Sequence, residues 1–210
     1  MSFLSQLNWR YATKTYDASK KVPQDKLDQI LEAIRMAPSS SGFQPYDVLV
    51  VTNPAIREKL RAAAFGQPQL TEASHVLVFA AWDNIHEGNL GKVFDNMAAT
   101  RGASDSLTER RKSSLENFAG KSPEQNFAHA AQQAFIGLGF GLAAAAELQV
   151  DSTGMGGFNP AQFDEILGLK EKGLRSVAVM ALGYRDGAND WLVNLKKVRR
   201  PKVDMFHEVK

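Results

Sequence analysis

Residues 122–148 constrain the fold more than any other part of this sequence, because they have the length of a long helix and almost no charge. No Asp, Glu, Lys or Arg stands between Glu124 and Glu147. Ser122 suits the N-cap of such a helix, and Gln125 lies at the spacing that completes a capping box. A helix that is apolar on nearly every face is expected to be buried on every face.

The glycines of this run indicate how the helix packs. Gly137, Gly139 and Gly141 weaken an isolated helix, because each glycine costs about 1 kcal/mol relative to alanine. In exchange, they allow another backbone to approach closely. The run is therefore predicted to be the central helix of the domain and of a dimer.

A transmembrane span is the alternative interpretation of the same run, since about 20 apolar residues cross a bilayer. The run lacks a flanking aromatic belt, and its polar side chains disfavour burial in lipid. These side chains are Asn126, His129, Gln132 and Gln133. The sequence therefore favours a buried core helix and predicts no membrane partner.

Composition narrows the class of protein. The 210 residues, of which 44% are hydrophobic and 23% charged, are ordinary for one globular domain spanning residues 1–210. The absence of cysteine excludes a disulfide framework, a thiolate metal site and a cysteine nucleophile. The four histidines have no metal-ligand spacing, so no metal is expected. The start of the chain shows no secretory signal pattern, which predicts a cytoplasmic protein.

The order of strands and helices indicates the fold class. Apolar, β-branched runs predict buried strands at residues 46–52, 75–81, 149–153 and 176–182. Amphipathic spacing and helix-start signals predict helices from 23 to 38, from 53 to about 64 and from 159. A short helix is expected at residues 2–9, and the polar residues 82–120, rich in both charge signs, are expected to be helical in two pieces. Because strands and helices do not alternate strictly, the sequence predicts an α+β fold with a layered mixed, mainly antiparallel sheet flanked by helices.

Two stretches partly match familiar sequence motifs but lack residues or context that the motifs require. Gly120-Lys121-Ser122 resembles the end of a phosphate-binding P-loop, but Leu115 stands where the motif needs a glycine. The glycines at 137–141 lie inside the central helix, without the strand-turn-helix context of a dinucleotide fingerprint. No GxSxG elbow is present either. The sequence therefore contains none of the usual motifs that would support a hydrolase, a kinase or a metalloenzyme.

Basic residues near both ends of the chain could bind one anion. Arg10 and Lys14 share one side of a helical turn, and Lys197 with Arg199 could contact the same phosphate. Solvated basic patches are the simpler alternative. The serine cluster at residues 39–41 and the glycines at 154–157 could likewise be only turn chemistry.

The order of these pieces along the chain carries a resemblance. Five segments resemble the FMN-dependent nitroreductase family, in particular its oxygen-insensitive NAD(P)H nitroreductase and dihydropteridine reductase branch. They are residues 10–17 (RYATKTYD), 37–46 (APSSSGFQPY), the turn before 71–75 (TEASH), 154–158 (GMGGF) and 197–201 (KVRRP). The resemblance covers essentially the whole chain.

The resemblance implies a nitroreductase-like, intertwined homodimer with FMN bound at the subunit interface, two flavins per dimer. For residues near the FMN phosphate and the edge of the flavin, the resemblance implies three roles. Arg10, Lys197 and Arg199 would hold the phosphate, with Tyr11 and Ala12 lining the adjacent chain. Lys14 would place a cation at the pyrimidine edge, where it favours the reduced flavin.

The resemblance assigns further residues around the ring and the acceptor. Pro38, Ser39 and Ser40 would reach FMN from the other subunit. The remaining cofactor contacts would be made by Gln67, Gln69, Met155, Gly156 and Gly157, with the amide of Gly156 facing the nitrogen that carries the hydride. The substrate pocket would be shaped by Ser40, Ser41, Phe43 and Phe118.

Some positions depart from the family pattern. Ala12 and Gly42 stand where many relatives carry Ser and Asn, so one side-chain hydrogen bond is in doubt at each. Gly156 replaces a frequent acidic residue, which opens the floor of the site. Pro68 replaces a lysine found in some members, which leaves Lys14 as the expected cation at that edge.

The function implied is a ping-pong NAD(P)H oxidoreductase that passes electrons through FMN to nitroaromatics, quinones or similar electron-poor acceptors. A flavin reductase or an enone reductase on the same scaffold is the alternative. A nucleic-acid-binding role for the basic tail at residues 196–202 is a remote one, since no aromatic platform or recognition helix accompanies it.

Overall fold

The computed structural model describes residues 2–209 of the chain. Over this range the helices are α1 Phe3–Trp9, α2 Gln24–Arg35, α3 Pro54–Ala63, α4 Gln69–Glu72, α5 Glu87–Arg101, α6 Asp105–Ala119, α7 Pro123–Glu147 and α8 Pro160–Leu167. The strands are β1 Tyr46–Val51, β2 His75–Trp82, β3 Asp151–Met155 and β4 Leu174–Gly183. The predicted α+β class is confirmed.

The four strands form one sheet in the order β1-β2-β4-β3, and each neighbouring pair is antiparallel. Both faces of the sheet are covered. Along β2, Val76 and Val78 belong to one core cluster with residues of α3 and α8. Leu77 and Phe79 point the other way, into a cluster with residues of α2 and α7. The sheet therefore lies as a buried layer between two layers of helices.

Helix α7 begins as the sequence predicts. The Ser122 side chain accepts a hydrogen bond from the backbone of Gln125, and the Gln125 side chain accepts one from the backbone of Ser122, so the capping box is complete. Pro123 occupies the first turn, where its missing N–H costs nothing. One face of the helix packs on α2 and the sheet through Gly137 and Gly141, among others.

Replacing Gly137 by alanine is expected to destabilise the fold by about 1–3 kcal/mol, because the core is already filled there. The added Cβ would lie 2.6 Å from the Tyr46 hydroxyl oxygen and 3.0 Å from Tyr46 Cζ. Thermal or urea unfolding measures the loss. The double variant Gly137→Ala/Tyr46→Phe should recover part of it, because it removes the closest atom. A Gly137→Ala protein as stable as the natural one would show that helix propensity outweighs this contact.

The opposite face of α7 departs from the prediction that the helix is buried all round. Phe135 is 51% exposed and Phe140 42% exposed, with Ile136 between them. They border an apolar cavity of about 530 Å³ together with Phe3, Ala33, Gly139, Ala143, Ala144 and Glu147. Within one chain the described residues leave this face partly open, and the dimer predicted from the sequence stays a prediction. We refer to this face below as the α7 groove.

Two element boundaries also differ from the sequence prediction. The third strand was expected at residues 149–153 but runs over Asp151–Met155, so Gly154 and Met155 lie in the strand. The reason is local. Gln149 adopts a left-handed conformation with φ of 55°, and the N–H of Val150 donates to the carbonyl of Ala145, which prolongs the end of α7. The turn predicted at residues 66–69 leads directly into α4.

The two helices predicted between residues 82 and 120 are confirmed as α5 and α6. They enclose their own small core, which contains Phe43, Phe94 and Phe118. Across residues 2–209, no helix combines the length and the hydropathy that a membrane span requires.

Candidate functional site

The amino-terminal segment that carries the first predicted site residues lies along the edge strand β3. Ala12 forms a parallel bridge with Ser152, and the Thr153 hydroxyl donates to the carbonyl of Thr13 at 2.6 Å. The hydroxyl groups of Tyr16 and Thr153 are also 3.1 Å apart. Residues 10–16 are therefore fixed relative to β3, whose far end carries Met155 and leads into Gly156 and Gly157.

The carboxyl-terminal segment folds back onto the same place. The Lys197 ammonium donates to the backbone carbonyls of Leu7 and Arg10. Arg199 lies close enough to Arg10 that its charge adds to burial in lowering the pKa of Arg10. The structure thus brings together the three cations that the resemblance assigns to the phosphate, although 187 residues separate Arg10 from Lys197.

Within residues 2–209, no ion pair joins a carboxylate to any of these three cations. Burial lowers the pKa of Lys197, and the charges of Arg10 and Arg199 lower it further. The Nε of Arg10 is buried without a hydrogen-bond partner in the described residues. Like charges that are held close together and partly buried repel one another. A bound anion would offset this repulsion and would give the buried donor a hydrogen-bond partner. The cluster borders a cleft of about 710 Å³ lined by Trp9, Tyr11, Arg185, Lys196, Lys197 and Arg199, among others.

Asp190 is a residue of this site that the sequence analysis missed. Its carboxylate is 2% exposed and accepts hydrogen bonds from the backbone N–H groups of Lys14 at 2.7 Å, Thr15 at 3.3 Å and Leu192 at 2.9 Å. It therefore joins the segment that carries Arg10 and Lys14 to the segment that leads to Lys197. Burial, together with the nearby Asp190, raises the pKa of Tyr11 to about 12. No local pattern marks this aspartate, because its main partners lie 175 and 176 residues away.

Replacing Asp190 by asparagine is expected to destabilise the protein by about 1–3 kcal/mol, because an amide nitrogen cannot accept and one buried N–H loses its partner. Thermal unfolding measures the change. Asp186→Asn is the matched control, since Asp186 accepts only local hydrogen bonds and its loss should cost about 0.5 kcal/mol or less. Equal losses for the two variants would contradict the role assigned to Asp190.

Arg185 was also missed, and it forms one wall of the cleft. Its guanidinium lies 4.5 Å from the ring centroid of Trp9 and 4.6 Å from that of Tyr11. Its Nε donates to the buried carboxylate of Asp151 at 2.7 Å, and its backbone N–H donates to the same carboxylate at 2.8 Å. Arg185 thus forms an ion pair with Asp151, whereas no ion pair of the described residues includes Arg10, Lys197 or Arg199.

Three of the predicted ring contacts, Gln67, Gly156 and Gly157, lie together just past the end of β3. The Gln67 side chain donates to the carbonyls of Gly157 at 2.6 Å and Ala64 at 3.0 Å. Gln69 is buried, and its Oε1 has no hydrogen-bond partner in the described residues. A Cβ at Gly156 would meet no atom within 4 Å, so this position faces open space. Met155 is buried beneath it.

The serine loop, residues 38–41, lies elsewhere in the chain. The N–H of Ser40 donates to Gln133 of α7 at 2.8 Å, and the Ser39 hydroxyl accepts from the N–H of Gln44 at 2.9 Å. The carbonyl of Ser41 accepts from Arg110 of α6. In the described residues, the hydrogen bonds of this loop join it to α6 and α7 and not to the Arg10 cluster. The predicted site residues therefore form two groups within one chain.

The two predicted pocket phenylalanines are buried. Phe43 is 4% exposed and Phe118 5% exposed, and their ring centroids are 6.3 Å apart. They pack with Phe94 in the core that α5 and α6 enclose. They can support a pocket from behind, but they offer a substrate little surface.

Comparisons with known proteins identify the class of this fold. A structure from Exiguobacterium sibiricum, described as a nitroreductase in complex with FMN, has a TM-score of 0.83 and 19% identity, with 100% of this chain and 98% of that chain covered. The major NAD(P)H-flavin oxidoreductase of Aliivibrio fischeri is 30% identical, over 97% of this chain and 96% of that protein. The oxygen-insensitive NAD(P)H nitroreductase of Salmonella typhimurium is 28% identical, with both chains covered over 100% of their lengths.

These relatives are redox enzymes, and this chain is an oxidoreductase of the same class. The sequence model of the nitroreductase family matches residues 7–184. The chain belongs to the nitroreductase family. The family resemblance predicted from the sequence is confirmed.

Proposed function

We propose that this protein is an FMN-dependent NAD(P)H oxidoreductase that reduces nitroaromatics, quinones or similar electron-poor acceptors by a ping-pong mechanism. The observation that carries the proposal is the meeting of Arg10, Lys197 and Arg199 in one cluster, which no ion pair of the described residues neutralises. Three convergent cations are suited to a phosphate with two negative charges. The names of the two curated relatives support the co-substrate and the flavin.

The residues of the Arg10 cluster and those near the end of β3 fit FMN. The buried, unpartnered Nε of Arg10 supplies a donor for the phosphate, and the unpartnered Oε1 of Gln69 supplies an acceptor for an N–H of the ring. The open space at Gly156 leaves room for a flat ring over the end of β3. In this proposal Tyr11 and Ala12 line the chain between phosphate and ring, while Met155, Gly157 and Gln67 complete the floor. Lys14 holds a positive charge at the pyrimidine edge.

The chemistry divides between the cofactor and the chain. When bound, FMN would supply a two-electron carrier between NADH or NADPH and the acceptor; overall, a nitro group, NAD(P)H and a proton would give a nitroso group, NAD(P)⁺ and water. Gly156, which has no side chain, leaves the same face open to the nicotinamide and then to the acceptor. Asp190 keeps Lys14 in position through the Lys14 N–H. In this proposal solvent supplies the proton, and no side chain acts as acid or base.

A second copy of the chain completes the proposed site. The α7 groove is an apolar surface that a monomer rarely leaves open. Packing of two chains through this groove would cover Phe135 and Phe140 and bring Pro38, Ser39 and Ser40 of one chain towards the FMN of the other. We propose this homodimer, with residues 1–210 acting as one domain in the cytoplasm, where NAD(P)H is available.

Flavin reduction is the second candidate, because the relative from Aliivibrio fischeri is named a flavin oxidoreductase. Free FMN would then be the acceptor. Nucleic-acid binding by the basic tail has less support, since Lys197 donates inward to backbone carbonyls instead of facing solvent.

The experiment is purification followed by absorption spectroscopy and a screen of acceptors. We expect yellow protein that oxidises NADH or NADPH when given a nitroaromatic ester, menadione or free FMN. The acceptor with the highest kcat/KM distinguishes the two candidates. Colourless protein that cannot be reconstituted with FMN would contradict the proposal.

A further inference from the structure

Two cations cover the aromatic cluster beside the serine loop. The guanidinium carbon of Arg110 lies 5.8 Å from the ring centroid of Phe43 and 5.9 Å from that of Phe94. The ammonium of Lys121 lies 4.8 Å from the ring centroid of Phe118. Because the rings are buried and both cations are exposed, a ligand arriving here meets the charged groups first.

Neither cation is used to hold the helices together. In residues 2–209, no ion pair joins Arg110 or Lys121 to a carboxylate. The neighbouring Arg111, in contrast, pairs with both Glu87 and Asp95 and so ties α6 to α5. Arg110 instead donates at 2.7 Å to the carbonyl of Ser41, within the serine loop. Its charge is therefore available at the edge of that loop.

His129 is the nearest titratable aromatic neighbour that the ring contacts place beside Phe118. The ring of His129 lies 5.4 Å from that of Phe118, and burial, followed by the charge of Lys121, lowers the pKa of His129. His129 is therefore neutral at pH 7. A guanidinium on an aromatic face is weakly hydrated and matches the planar fork of a carboxylate. The surface thus combines flat apolar support with positive charge.

We propose that the acceptor site favours aromatic acceptors that carry an anionic substituent, a carboxylate or a sulfonate, and that Arg110 and Lys121 bind this substituent. The inference rests on the proposed function, which assigns the serine loop to the acceptor pocket. It names a substrate class that the family membership leaves open.

The test uses the FMN-loaded enzyme and compares para-nitrobenzoate with its methyl ester, which is neutral and withdraws electrons more strongly from the nitro group. The measured quantity is the ratio of their kcat/KM values. We expect the ratio of the anion to the ester to be highest at low ionic strength and to fall as salt is added, because salt screens exposed charges. Each single variant, Arg110→Gln or Lys121→Gln, should lower the ratio by about fivefold, and the double variant by about tenfold or more.

Matched variants separate charge from structure. Arg110→Lys keeps the charge and should retain most of the preference. Arg101→Gln at the end of α5 and Lys112→Gln on α6 remove exposed charges that do not lie over these rings, and they should leave the ratio unchanged. The salt dependence of the natural enzyme gives a result even if a variant folds poorly.

The outcomes are distinct. If neither acceptor is reduced, the proposed function fails. If the ester is reduced and the ratio shows no preference and no salt dependence, this inference fails alone. If the double variant alters discrimination between NADPH and NADH but not between the two acceptors, the cations bind the nucleotide phosphate, and their assignment to the acceptor is overturned.

Discussion

Replacing Arg199 by glutamine should weaken FMN binding by about tenfold to a hundredfold, since a hydrogen bond between charged groups contributes about 1.5–3 kcal/mol. The structure places Arg199 near Arg10, and in residues 2–209 neither forms an ion pair with a carboxylate. A phosphate would supply the negative partner for both. Titration of the apo-protein with FMN, followed by quenching of flavin fluorescence, measures the dissociation constant.

The apo-protein should respond differently from the loaded one. Without the phosphate, removal of one of several like charges should leave stability unchanged within about 0.5 kcal/mol. Arg200→Gln is the control, because Arg200 donates to the carbonyl of Asp204 and lies next to Arg199 in sequence. Equal FMN affinities for the two variants would show that Arg199 does not bind the phosphate.

Replacing Phe140 by glutamate should convert the proposed dimer into monomers. A carboxylate placed in an apolar interface loses its hydration without gaining a partner, which costs several kcal/mol. We therefore expect the dimer dissociation constant to rise by about a hundredfold or more. Because the serine loop of the second chain is proposed to contact FMN, the flavin content should fall together with the dimer. Sedimentation velocity and flavin absorbance measure the two effects.

Gln162→Glu provides the control for this variant. It adds the same charge on α8, which packs on the opposite face of the sheet from α7. It should leave both the dimer and the flavin in place. A Phe140→Glu protein that remains a flavin-loaded dimer would exclude the α7 groove as the interface.

The parts of the fold that could be predicted from the sequence are those set by short-range rules. The capping box between Ser122 and Gln125 needs only a spacing of three residues, and the structure forms it. The two apolar strands at residues 75–81 and 176–182 are buried on both faces, so their composition alone identifies them. The separation of residues 82–120 into two helices followed from their polar composition in the same way.

Long-range partners could not be predicted in this way. Asp190 and Arg185 lie in an unremarkable polar stretch, and their importance comes from backbone and side chains of other segments. The burial of Phe43 and Phe118 depends on how α5 and α6 close over them. The open face of α7 is related to this limit. Apolar sequence predicts that a face is buried, but it does not say whether the same chain or a second copy covers it.

The central claim is that cations from both ends of the chain bind one phosphate. The most direct test is to titrate the apo-protein with FMN and with riboflavin, which carries the same ring but no phosphate. The account predicts one FMN per chain and affinity for riboflavin that is lower by about a hundredfold or more. Equal affinities for the two flavins, or no binding of either, would contradict it.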